Sequence, residues 1–83
     1  AIKDTVSVVH NYDTIGDVRQ EALVEMCFNL GLSRLKGFAK MLKAVNEEDW
    51  GVAAEQATQS KWYNQIPARA MRIVAQIESG DVA

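Results

Sequence analysis

Apolar residues along the chain recur at three- and four-residue steps, the spacing of helices that bury one face. The clearest run is Asp17–Leu30, DVRQEALVEMCFNL, where Val18, Ala22, Leu23, Met26, Cys27 and Leu30 share a face and Arg19, Glu21 and Glu25 lie off it. Thr14, three residues before Asp17, approximates a capping box, and Gly31 is suited to a left-handed stop. Leu32, Leu35 and Phe38 then mark a short turn of helix ending near Gly37. A second short helix follows over Ala39–Val45, with Met41, Leu42 and Val45 inward and Lys40 and Lys43 outward. Asn46 is predicted to cap the next helix, placing Glu47, Glu48 and Asp49 in a first turn where the helix dipole favours acids. That helix is expected to run through Trp50, Val52, Ala53, Ala54 and Ala57 to about Thr58. Ser60 caps a brief Lys61–Gln65 turn. Pro67 opens the last helix, where its missing N–H goes unneeded, and Ala70, Ile73, Val74 and Ile77 form its buried stripe up to Gly80.

The first residues are the ambiguous ones. Thr5, Val6, Val8 and Val9 are β-branched and suit a strand. No second run offers a ladder partner, so the reading is a helix over Val6–Tyr12, held by packing. There is one proline, and no repeat, low-complexity tract or linker divides the chain. The expectation is an all-α fold: one compact lobe of six or seven short helices, spanning 1–83, around the central amphipathic helix Asp17–Leu30.

Composition narrows the class. The chain has 83 residues, 48% of them hydrophobic, and nine Lys and Arg against eleven Asp and Glu, a formal charge of −2. That is one small domain or part of one. A single cysteine, Cys27, neither staples a secreted mini-protein nor supplies a thiolate zinc site. No apolar stretch approaches the roughly 18–20 residues of a membrane span, so no membrane partner is expected. The start, AIKDTVSVV, lacks the basic and apolar blocks of a signal peptide, and without an initiating Met it implies processing or trimming. A mildly acidic total argues against a general nucleic-acid binder, although a local patch can hide within it.

Candidate chemistry is sparse. Glu21 and Glu25 share a helix face and resemble a carboxylate pair; the simpler reading is a solvated, mildly repulsive pair beside Arg19. Glu47, Glu48 and Asp49 lack the alternating spacing of a calcium loop. His10 is the sole histidine, so no transition-metal set forms with it, and Cys27 reads as a small buried apolar residue. No cofactor and no self-contained active site follow from the residue types. Two constellations remain. Asn29–Ser33, followed by Arg34, Lys36, Lys40 and Lys43, has the outline of a helix-turn-helix DNA binder. Against it, Gly37 interrupts the recognition helix and Phe38, Met41 and Leu42 leave few polar groups to read base edges. Trp50, Trp62 and Tyr63, beside Asn64 and Gln65, are able to stack on a sugar or to anchor the core; periodicity favours the core.

Taken together, Tyr12-Asp13, Val18-Arg19, Ala22-Leu23, Met26, Phe28, Gly31, Gly37-Phe38, Met41-Leu42, Trp50, Ala53-Ala54 and Ser60–Val74, SKWYNQIPARAMRIV, form a wider pattern. It resembles the C-terminal helical lobe of the phage-type lysozymes, glycoside hydrolase family 24, in particular their T-even phage endolysin branch. The resemblance covers about Tyr12 to Ser79, with SKWYNQIPARAMRIV its most specific part. It implies a bacteriolytic muramidase, cleaving the β-1,4 bond between N-acetylmuramic acid and N-acetylglucosamine of peptidoglycan. The endolysin likeness further implies residence in the host cytoplasm before release to the wall. The family's catalytic Glu, with the Asp or Cys and Thr after it, belongs to an N-terminal lobe. By this likeness the sequence begins partway along the helix joining the lobes. No catalytic residue is therefore assigned here, and a lobe of this kind is expected to be inactive without its N-terminal partner. Phe28 matches a saccharide-contact Phe, Asn29 stands where the family has an amide, and Gln56 replaces a cleft-side Asn; these three are the implied substrate-binding residues. Met41 replaces a cleft-side Ser and supplies no hydroxyl, while Trp62 is expected to anchor packing. A non-catalytic wall-binding remnant of the same ancestry is the alternative.

Overall fold

The computed structural model describes residues 2–81. It contains seven α-helices: α1 Ile2–Val8, α2 Asp17–Leu30, α3 Leu32–Lys36, α4 Ala39–Asn46, α5 Trp50–Thr58, α6 Lys61–Gln65 and α7 Pro67–Ser79. A single 3₁₀ turn, Tyr12–Thr14, joins α1 to α2, and no strand occurs among the described residues. None of these helices is long and apolar enough to cross a membrane. The fold class is all-α, as the hydrophobic spacing predicts.

Two helices organise the interior. α2 packs against α1, α3 and α7, while α7 also packs against α5 and α6. The α2 stripe Ala22, Leu23, Met26, Cys27 and Leu30 is buried, and faces the α7 residues Ala70, Ile73, Val74 and Ile77 across one continuous core. The small buried residues of α5, Ala53, Ala54 and Ala57, let it lie close to both α4 and α7. Trp62 of α6 plugs the remaining space. Its ring meets Phe38 edge to face, with centroids 6.4 Å apart and planes at 85°.

The local signals at the C-terminal end hold. The Ser60 hydroxyl accepts from the Tyr63 N–H at 3.2 Å, Pro67 occupies the first turn of α7, and Gly80 is left-handed at φ 75°. Elsewhere tertiary contacts override local ones. The N-cap of α2 is Gly16, at φ 89° with no side-chain cap, while the Thr14 hydroxyl donates to the Asn11 carbonyl instead. The predicted Val6–Tyr12 helix is displaced toward the N-terminus. Asn46 causes this: its Oδ1 accepts the His10 N–H at 2.7 Å and its Nδ2 donates to the Val8 carbonyl at 3.1 Å. These bonds turn the chain out of the helix at Val9 and seat Val9 in the core.

Asn46 is accordingly no cap for α5. It is the last residue of α4, which closes in a Schellman arrangement: the Asp49 N–H donates to the Ala44 carbonyl at 2.8 Å and the Glu48 N–H to the Val45 carbonyl at 3.0 Å. The cap falls three residues later than predicted, on Asp49, whose carboxylate accepts from the Val52 N–H at 3.4 Å. Glu48 carries the left-handed turn at φ 57°, a conformation glycine normally supplies. Glu48→Gly should therefore raise stability by about 0.5–1 kcal/mol, read as a higher urea midpoint with an unchanged slope. Gly31 also departs from a simple stop. At φ 80° and ψ 154° it is extended in the mirror-image sense open to glycine, and it both ends α2 and begins α3.

Candidate functional site

A groove with polar and apolar lining lies between the start of α4 and the end of α5. Gly37 turns the chain out of α3 with its N–H on the Arg34 carbonyl, so that Phe38 enters the groove and α4 begins at Ala39. Opposite, α5 runs out at Thr58, leaving Gln56, Gln59 and Ser60 on the facing wall. The open groove has a volume of about 420 Å³ and is lined by these residues with Ala39, Lys40 and Met41. Phe38, braced by Trp62, and Met41, 1% exposed, supply the apolar side of the lining. Gln56 is half-buried, while Lys40 and Gln59 are exposed. The Ser60 hydroxyl is already engaged, donating to the Ala57 carbonyl at 2.7 Å and capping α6. The free hydrogen-bonding capacity of the groove thus sits on two amides and one ammonium group.

A second depression, of about 310 Å³, lies over the outer side of α2 between Ile2, Tyr12, Glu21, Val24, Glu25 and Phe28. Its lining is mainly apolar side chain, and Phe28 at its edge is 79% exposed. Burying that ring against a partner or ligand would remove a large apolar area from solvent. Asn29, next along α2, belongs to neither concavity. Its Nδ2 donates to the Glu25 carbonyl at 2.8 Å and its Oδ1 accepts from Arg69 at 3.1 Å.

No family profile matches the sequence. Over 80 residues, 96% of this chain and 47% of the relative, it is 31% identical to Probable T4-type lysozyme 2 of Dictyostelium discoideum. It is 32% identical over 69 residues to Probable T4-type lysozyme 1 of the same organism, 83% of this chain and 41% of that protein. The chain is a relative of the T4-type lysozymes. It spans less than half the length of these two. A further similarity, 32% identity over 81 residues, is to the Pre-baseplate central spike protein Gp5 of Enterobacteria phage T4, of which the chain covers 14%.

In this lysozyme-like chain, the two positions singled out as departures from the family, Met41 and Gln56, come together in the groove. Phe28 lines the other depression, so the three implied saccharide contacts do not converge on one concavity. Sequence reasoning missed Gln59 as a groove residue, and placed Lys40 on the outer face of its helix and in a helix-turn-helix outline that Gly37 and the apolar residues after it argue against. That outline divides into two separate helices, α3 and α4, at Gly37 and Phe38. Among the described residues, no three His, Cys, Asp or Glu side chains come together as a metal would require.

The carboxylate pair also resolves differently from the solvated pair expected beside Arg19. Glu25 turns to α7, where Arg72 grips it with both terminal nitrogens, one at 3.0 Å, and Arg69 stands 3.8 Å away. The Arg72 hydrogen bonds hold the Glu25 carboxyl below its ordinary value of 4.5, against a smaller opposing effect of burial and with help from the charges of Arg72 and Arg69. A lowered folded-state value means that the ionised form stabilises the fold. That contribution is complete above the ordinary value and disappears as pH falls through the folded one. The melting temperature should consequently drop as pH is lowered from about 5, and Glu25→Gln should flatten that part of the profile.

Proposed function

We propose that the chain is the helical lobe of a peptidoglycan hydrolase, a muramidase acting on the β-1,4 bond between N-acetylmuramic acid and N-acetylglucosamine. In this reading it forms one wall of the saccharide cleft and is inactive alone. The observation that carries the reading is the extent of the similarity, 83% to 96% of this chain against 41% to 47% of two T4-type lysozymes.

Glycoside hydrolysis requires one group to protonate the leaving oxygen and another to manage the attacking water. Glu25, kept ionised by Arg72, is ill suited to giving up a proton. The acid is assigned instead to the length of the relatives that this chain does not span. Gln56 meets the saccharide from the groove with an amide, and Phe28 offers its exposed ring from the second depression. Asn29 reaches saccharide only by exchanging its bond to Arg69. The enzyme is read as acting on the wall after release from the host cytoplasm.

Turbidity of a purified cell-wall suspension tests this. The full product of the source gene, read upstream of Ala1, should clear the suspension, and the 83-residue chain at equal concentration should not. Clearing by the chain alone would overturn the placement of the acid. A full product that binds walls without clearing them would replace the hydrolase reading with a saccharide-binding one.

A further inference from the structure

The cations of this chain are unevenly placed. Arg34, Lys36, Lys40 and Lys43 follow one another with no acid from Ser33 to Asn46, while the other five cations share the rest of the sequence with all eleven acids. All four are exposed. Their state differs from that of Arg19, Arg69 and Arg72, which are committed to carbonyls or carboxylates of neighbouring helices. The side chain of Lys40 makes no hydrogen bond or ion pair with any described residue. It is also the one of the four that lines the groove, where every other lining side chain is uncharged.

An uncharged sugar satisfies Gln56 and Gln59 and leaves Lys40 unanswered. A carboxylate held in the groove answers it, and the absence of any acid in the lining leaves the ammonium group free to do so. We infer that Lys40 makes the groove selective for peptidoglycan strands whose stem peptides carry free carboxylates over strands in which those carboxylates are amidated. This rests on the reading that the groove takes peptidoglycan, and adds the charge state of the ligand. The ligand's peptide carboxylate faces the Lys40 ammonium group, its amides pair with Gln56 and Gln59, and its apolar parts lie against Phe38 and Met41. Lys40 is thus a specificity residue with no part in bond cleavage.

The test is an NMR titration of the ¹⁵N-labelled chain with a disaccharide–tripeptide in two forms, one with free and one with amidated carboxylates. Both should shift the backbone amides of Gln56, Gln59 and Ser60, with the free acid binding about three- to fivefold more tightly, the range of one exposed ion pair. Lys40→Gln should abolish that preference, and salt of about 0.3 M should reduce it. Lys43→Gln, exposed on the same helix but outside the groove, should preserve it. Equal affinities for the two forms, or a preference that survives Lys40→Gln, overturn the inference and leave the groove as a saccharide site. Binding with shifts confined to other residues also overturns it. Shifts from neither compound overturn the inference, while the hydrolase reading stands or falls by the turbidity assay.

Discussion

Trp62→Ala should cost about 3–5 kcal/mol of unfolding free energy, which for a domain of this size approaches loss of the native state. The indole is 4% exposed and braces Phe38, so its removal opens a cavity between α6 and the core and loosens one wall of the groove. One detail separates truncation from shape. The indole Nε1 is buried without a hydrogen-bond partner, and an unsatisfied buried donor is destabilising by about 1–3 kcal/mol. Trp62→Phe removes that donor along with part of the ring, and should therefore destabilise by much less than Trp62→Ala. Urea unfolding followed by circular dichroism distinguishes the two variants. A cost for Ala under about 1 kcal/mol is what a surface side chain would show, and would contradict the packing described.

Arg19→Met should cost about 2–4 kcal/mol, although Arg19 lies off the apolar stripe of α2. Its Nε donates to the Ile77 carbonyl at 2.6 Å and Nη2 to the Glu78 carbonyl at 2.7 Å, satisfying the C-terminal end of α7 with a cation where the dipole favours one. The guanidinium carbon also lies 4.1 Å from the centre of the Trp50 ring. Met keeps the aliphatic length and loses all three interactions. Arg19→Lys should recover less than half the loss, because an ammonium group has no planar fork to bridge two carbonyls. Gly80 belongs to the same arrangement. A Cβ there would lie 3.0 Å from Arg19 Nη1, so this glycine gives both the left-handed turn and room for the guanidinium.

Arg19 also marks where sequence reading stops. Periodicity placed it correctly as off the stripe, and nothing local tells a solvated arginine from one that caps a helix 58 residues away. The same division runs through the fold. Ser60, Pro67 and Gly80 act on their own neighbours, and their helices begin and end as the residues predict. Asn46 has the chemistry of a cap, but its amide is spent on Val8 and His10, distant in sequence. For the site, Phe28 was legible as a residue outside the buried stripe of α2. The meeting of Met41, Gln56 and Gln59 was not, because it depends on how α4 crosses α5. Glu25 was likewise legible as a surface acid, while its clasp by Arg72 depends on α7 lying alongside α2.

The Asn46 amide has a consequence for motion. α1 contributes Thr5 to the interior and packs on α2 and α3, and the chain just after it is held to α4 by the Asn46 amide and by the Asn11 Nδ2 bond to the Val45 carbonyl. An opening of this segment with α2 to α7 still folded should have its own free energy, below that of global unfolding. Hydrogen exchange should show the amides of α1 and of His10 far less protected than those of α2 and α7, and Asn46→Ala should lower protection in the first group alone. Ile2 of α1 lines the depression beside Phe28, so such an opening should remove one of its walls. A residue on the helix that lines the groove thereby helps to hold one wall of the second surface in place.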